Sequence, residues 1–212
     1  MEALFDAGPL ATMAGHVDVD LPDGLHLRLR VLRPDDGPAL VAGFTRLSPE
    51  TRFMRFFTGS WQLTAAQLEY FLDLDDGRRW AIVALDRDRP SDVPGVEWGL
   101  GVGAASYTRG AHPGEAEPAI VVVDEYHRRH VGTVLLHAIA VVAYEHGIRR
   151  FAAPVLAENR GLLSLVTELG AEVRVDPDER TVVHVVFDLM GPDVPLKDTP
   201  TYELFRQIAA GA

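Results

Sequence analysis

From Leu25 the chain alternates apolar and polar residues through "LHLRL", and the run stops at Pro34, so it predicts a β-strand. Asp35 and Asp36 open a helix reaching about Arg46. "LSPETRFMRFF" predicts a second helix, with Ser48 as N-cap, Pro49 at the first helical position and Glu50 in the first turn. Thr64 caps a third, "AAQLEYFLDL", whose Leu68, Phe71 and Leu72 share a face. "WAIVALDRD" reads as a strand, and the next runs from about Glu97 to Tyr107 with Gly99, Gly101 and Gly103 at alternate positions. "EPAIVVVD" carries Ile120, Val121, Val122 and Val123 in a row, which predicts a buried strand. Val131 to Glu145 is an apolar helix ended by Gly147. "RRFAAPVL" is a strand and Glu158 to Leu169 a helix ended by Gly170. "AEVRV" and "TVVHVVFDL" close the pattern as strands. Pro192 and Pro195 mark a linker to a terminal helix, "PTYELFRQIAA".

This order predicts a mixed α/β (α+β) domain with a mainly antiparallel sheet flanked by helices. Residues 1–23 show no sustained period and read as an N-terminal arm, 24–190 as the domain, and 191–212 as a linker and helix.

Composition narrows the function. The formal charge of −11 argues against general binding to nucleic acid or anionic membrane, which needs a basic face. With no cysteine, disulfides, cysteine-ligated zinc and thiol nucleophiles are excluded. No apolar run is long enough to span a bilayer, and the first residues lack the basic start of a secretory signal, so a cytoplasmic protein is expected. Lys197 is the only lysine among twenty basic residues.

Against that acidic background, "YHRRHVGTVLL" places His127, Arg128, Arg129 and His130 just ahead of a helix. Cations there oppose the helix dipole unless an anion sits between. A helix start offers unpaired N–H groups to such an anion. Arg128 and Arg129 add charge, Gly132 lets the backbone approach a ligand, and Thr133 brings a hydroxyl. Phosphate binding and a plain solvated basic turn are both open on this segment alone. His127 and His130 have no clear third ligand beside them, and no metal is expected.

These residues resemble the GNAT superfamily of N-acetyltransferases, whose turn reads Gln/Arg-x-x-Gly-x-Gly/Ala after a strand. The matching positions are His127, Arg128, Arg129, His130, Val131 and Gly132 within "VVVDEYHRRHVGTVLL". "VLAENRGLLSLVTELGAEV" resembles the family's later strand–Asn–helix segment, with Asn159 at the usual Asn. "LRPDDGPALVAGFTRLSPETRFMRFF" resembles the acetyltransferase domain of bacterial protein-lysine acetyltransferases. The resemblance covers about residues 27–175. His130 stands where the family has its first Gly. A conformation with φ > 0 would strain it there, whereas a protonated imidazole would help bind phosphate.

The resemblance implies acetyl-CoA as co-substrate and a protein lysine or small amine as acceptor. It implies that Val121, Val122 and Val123 offer backbone groups to the pantetheine arm, that Asn159 touches that arm, and that the turn from Arg128 to Thr133 holds the pyrophosphate. It also implies Glu117, in the pair Ala116–Glu117, as general base. Without the resemblance, Glu117 reads as a solvated carboxylate and Asn159 as a helix cap. Many family members protonate the leaving thiolate with a Tyr; the matching position is Val166. These residues contain no second ligand-binding domain, so regulation by a fused sensor is not expected. Thr201–Ala210 is expected to pack either on the same subunit or on a partner, and a homodimer is an expectation. A non-catalytic module acting through protein contacts is the alternative reading.

Overall fold

The computed structural model describes residues 15–56, 60, 62–74, 77–96, 98–175, 179, 181–189 and 199–210. These residues form eight strands, β1 (His16–Asp20), β2 (His26–Val31), β3 (Arg79–Asp86), β4 (Leu100–Arg109), β5 (Glu115–Val122), β6 (Arg150–Leu156), β7 (Glu172–Val175) and β8 (Val182–Asp188). They also form six α-helices, α1 (Gly37–Thr45), α2 (Pro49–Phe56), α3 (Ala65–Leu72), α4 (Val131–Glu145), α5 (Arg160–Glu168) and α6 (Pro200–Ala210). One sheet runs in the order β1-β2-β3-β4-β5-β6-β8-β7. Every pairing is antiparallel except β5 with β6.

Local chemistry explains the elements. Thr64 and Gln67 cap α3 reciprocally, each side chain meeting the other residue's backbone N–H. Asp36 is buried just before α1 and takes both ends of the Arg30 guanidinium, at 2.6 Å each, while also accepting from the Arg33 N–H. The helix read from Asp35 is thus a 3-10 turn, Pro34–Asp36, followed by α1. Val102 is an extra residue in β4, because Ala84 pairs with Gly103 and Leu85 with Gly101.

Three expectations are corrected. The arm read over 1–23 contains β1, which pairs along its whole length with β2 and buries Val17 and Val19. Its alternation spans only five residues, too few to stand out without the partner strand. Residues 1–14 lie outside the described residues. At the other end, α6 lies in the main core rather than beyond it: Tyr202, Leu204, Phe205 and Ile208 are buried in the same cluster as α4. The linker around Pro192 and Pro195, and Glu97 at the expected start of β4, lie outside the described residues. The third correction is β5, expected to be buried. Only Ala116 in it is buried, and Ala119 through Val122 are half-exposed.

The helices divide between the two faces of the sheet. Helices α4 and α6 cover one face, where Val134, Leu135, Ala138, Ile139, Val141 and Val142 of α4 are almost fully buried. Helices α1 and α3 cover the other, over Leu32, Ala81, Val83 and Leu85. Helix α2 reaches β5.

Candidate active site

The half-exposure of β5 has a geometric cause. It pairs with β6 only at Glu115↔Arg150 and Ala116↔Phe151, and beyond those two positions β6 pairs with β8 alone. The strands part, and a wedge opens along the β5 edge from Glu117 to Val122. Backbone groups of successive strand residues point to opposite edges. The Val123 N–H donates to the Val102 carbonyl at 2.9 Å, so the odd-numbered residues of β5 turn their backbone to β4. Val121 follows the same phase, its carbonyl lying beside Gly103. The even-numbered residues therefore face the wedge: Val122 and Ile120 with both N–H and C=O, and Pro118 with C=O alone. Among Val121, Val122 and Val123, only Val122 presents its backbone there. Ile120 does so too, a position outside the three expected from the sequence. Pro118 holds the phase that reveals it, because a sheet proline takes the edge without a ladder bond.

Side chains alternate in the same way. Ile120 and Val122 lie on the α4 face, where a Cβ at Gly132 would come within 3.9 Å of each and 3.3 Å from Leu165 of α5. Glu117 is exposed and belongs to the opposite phase, and its charge acts at a distance on Arg55 of α2. The cleft thus has a carboxylate on one face and a helix start on the other.

Helix α4 begins at that wedge. His130 is its N-cap at φ 61°, and no side chain caps it. The N–H groups of Val131, Gly132 and Thr133 precede the first helical bond, Val134 N–H to His130 carbonyl at 3.0 Å. Val131 and Thr133 are buried. Arg128, at φ 58°, and His130 are the two non-glycine residues with positive φ among those described. Each such residue stores about 1–3 kcal/mol of strain, less for His, which visits this region more readily. Of the two readings of His130, the strain is what the backbone displays. Arg128 is exposed. Arg129 is ion-paired with Asp23 of the β1–β2 connection at 2.5 Å and lies 5.6 Å from the Tyr126 ring. His127 donates from Nε2 to the Val122 carbonyl at 2.9 Å, which takes up one wedge-facing acceptor.

Two polar networks hold this turn. Asp124 accepts from the Ser48 N–H at 2.8 Å, the Ser48 hydroxyl at 2.6 Å and the Thr51 hydroxyl at 2.8 Å. Burial pushes its carboxyl upward, but these bonds outweigh burial and hold it below the usual carboxylate range. Ser48 still accepts from the Thr51 N–H at 3.1 Å, so it also caps α2 as its position predicts. The buried Tyr126 hydroxyl donates to Asp86 at 2.7 Å and accepts from Arg89 at 3.0 Å. Burial, then the Asp86 bond, pushes its pKa up to about 12. No sequence pattern announces the Asp124 clamp, whose partners lie 76 and 73 residues away.

On the far wall, Asn159 accepts from the Leu162 N–H at 3.2 Å, the helix-cap reading of that residue. Val166 is packed with Val155, Ala171, Val183 and Val185. Among the described residues no helix is long and apolar enough to cross a membrane, and no group of three metal-ligating side chains occurs.

This geometry has known counterparts. The family described as acetyltransferase (GNAT) domain matches residues 26–172. Acetyltransferase PA5475 of Pseudomonas aeruginosa is 31% identical over 175 residues, covering 82% of this chain and 90% of that protein. Acetyltransferase Pat of Mycolicibacterium smegmatis is 30% identical over 197 residues, and the chain spans only 54% of its length. Among solved structures, the GNAT domain of S. lividans PAT is 32% identical, with a TM-score of 0.70 over 82% of this chain and 96% of that one. The chain belongs to the GNAT acetyltransferase family, whose members are acyl-CoA-dependent N-acyltransferases.

Proposed function

We propose that the chain moves an acetyl group from acetyl-CoA to an amine, a protein lysine before a small amine, by direct attack with Glu117 as general base. The observation that carries this reading is the parting of β5 from β6, with Glu117 on one face of the opened strand and the uncapped start of α4 on the other. The donor set fits acetyl-CoA. The first-turn N–H groups of Val131, Gly132 and Thr133, with Arg128 beside them, suit a pyrophosphate. Arg129 joins them by leaving Asp23, an exposed pair worth at most about 1 kcal/mol. The backbone groups of Ile120 and Val122 suit the amides of the pantetheine arm. An N–H at this edge also faces the position of a thioester carbonyl and stabilises the charge that develops on its oxygen.

Chemistry on the Glu117 side follows from protonation. A lysine has an ordinary pKa of about 10.4 and reaches the site charged. Glu117 removes that proton, directly or through a water, and the neutral amine attacks the thioester carbonyl. The tetrahedral intermediate gives up the second nitrogen proton to water as it collapses to an amide, and the sulfur leaves as a thiolate that takes its proton from water, since Val166 carries none. Dependence on acetyl-CoA fits action in the cytoplasm.

The test is Glu117→Gln. Turnover should fall by at least tenfold, within the roughly 10²–10⁴ range of general-base catalysis, while acetyl-CoA affinity changes little. An unchanged rate at saturating substrates, where chemistry limits, removes Glu117 from the role.

A further inference from the structure

Helix α2 carries two arginines three residues apart, Arg52 and Arg55, so both lie on one side of it. The Nε atom of each is buried without a hydrogen-bond partner among the described residues. Aromatic rings support them: Arg52 lies 5.7 Å from the Phe44 centroid and Arg55 4.9 Å from that of Phe56. Some arginines of this acidic chain meet carboxylates, Arg28 with Asp18, Arg30 with Asp36 and Arg150 with Asp188. Others meet backbone carbonyls, Arg79, Arg109 and Arg149 among them. Neither kind of partner stands against Arg52 or Arg55 among the described residues. Burial pulls Arg55 below the ordinary guanidinium range, and Glu117, then Tyr70, offset it from a distance without a contact pair. A half-buried guanidinium with open donors is best completed by a planar anion, which it grips through two parallel hydrogen bonds.

Resting on the reading of Glu117 as base, we propose that Arg55, with Arg52 beside it, is an acceptor-selecting site that takes a carboxylate carried next to the reacting amine. The acceptor class is then a lysine flanked by Asp or Glu in a peptide or protein. The Arg55 charge near Glu117, with Arg52 one turn away on the same helix, repels a bare ammonium, and polycationic amines are disfavoured for that reason. A neighbouring carboxylate on the acceptor cancels that repulsion and fixes the amine beside Glu117. The same field favours the neutral, nucleophilic form of the amine once it is bound.

The experiment measures thiol release from acetyl-CoA with three matched peptides, their lysine flanked by Asp, Ala or Arg. The wild-type protein should prefer the Asp peptide over the Ala peptide by about tenfold or more in kcat/KM, chiefly through KM. The Arg peptide should be the poorest. In Arg55→Gln the Asp-to-Ala ratio should fall to about one, and Arg55→Lys, which keeps the charge without the fork, should retain part of it. The lysine variant also decides the matter if the glutamine variant does not fold. Equal use of the Asp and Ala peptides by the wild type, or a ratio unchanged in both variants, overturns the assignment. Loss of all turnover in Arg55→Gln with acetyl-CoA binding intact does so too, placing Arg55 in the chemical step. No thiol release from any peptide by the wild type overturns the transferase reading itself, an outcome distinct from a lost preference.

Discussion

Strands β3 and β5 look alike as sequence and end in opposite surroundings. "WAIVALD" and "AEPAIVV" are both apolar runs of strand-forming residues. In β3 every residue from Ala81 to Asp86 is buried, because it has a ladder on each edge and helices over both faces. In β5 the ladder to β6 ends after two pairs, and the apolar run stays half-exposed. The contrast shows how a functional cleft is written in apolar residues. The same Ile and Val that build a core on one strand line a ligand's seat on the other, and the partner strand decides which.

Substitutions can break this contrast, beginning with the largest effect. Gly132→Val should abolish acetyl-CoA binding while the protein stays folded, since a branched side chain there meets Leu165, Ile120 and Val122 at the mouth of the wedge. Calorimetry for binding and circular dichroism for folding check it, and retained binding would place the phosphates elsewhere.

A matched pair probes the two strands directly. Ile82→Ala in β3, fully buried, should cost about 2–5 kcal/mol of stability. Ile120→Ala should cost about 1 kcal/mol or less, and weaken acetyl-CoA binding instead. Denaturant melts and titrations on both variants separate the outcomes. Equal stability losses would mean that β5 is core rather than seat.

His130→Gly is the smallest change and concerns the strained turn. Relief of the positive φ should stabilise the protein by about 1 kcal/mol. Removing the imidazole from the pyrophosphate loop should tighten acetyl-CoA binding by up to about tenfold, or 1.4 kcal/mol. Weaker binding by the variant would make His130 a phosphate ligand instead.

Much of the fold is legible in the sequence. The strands after Leu25, the capped helices at Pro49 and Thr64, and the helix from Val131 to Glu145 follow from periodicity and caps. The charge of the basic turn ahead of Gly132 and its place at a helix start raise an anion site as a reading, but a plain solvated turn stays open beside it on that segment alone. What stays hidden depends on partners distant along the chain. The "HVDVD" of β1 is a strand because β2 lies beside it, and α6 is core because α4 does. Asp124 reads as an ordinary turn acid until Ser48 and Thr51 arrive from α2. The open edge of β5 cannot be read from its own residues, because an apolar run does not say where its neighbour leaves it. Pro118 alone carries the phase.

The most direct test follows the backbone amides of β5 by hydrogen exchange, with and without acetyl-CoA. Without it, the Val121 and Val123 amides should exchange slowly, held against β4, and those of Ile120 and Val122 faster. Saturating acetyl-CoA should slow Ile120 and Val122, along with Val131, Gly132 and Thr133 at the start of α4. Binding at saturation that leaves Ile120 and Val122 unchanged would contradict the placement of the donor along the open edge of β5.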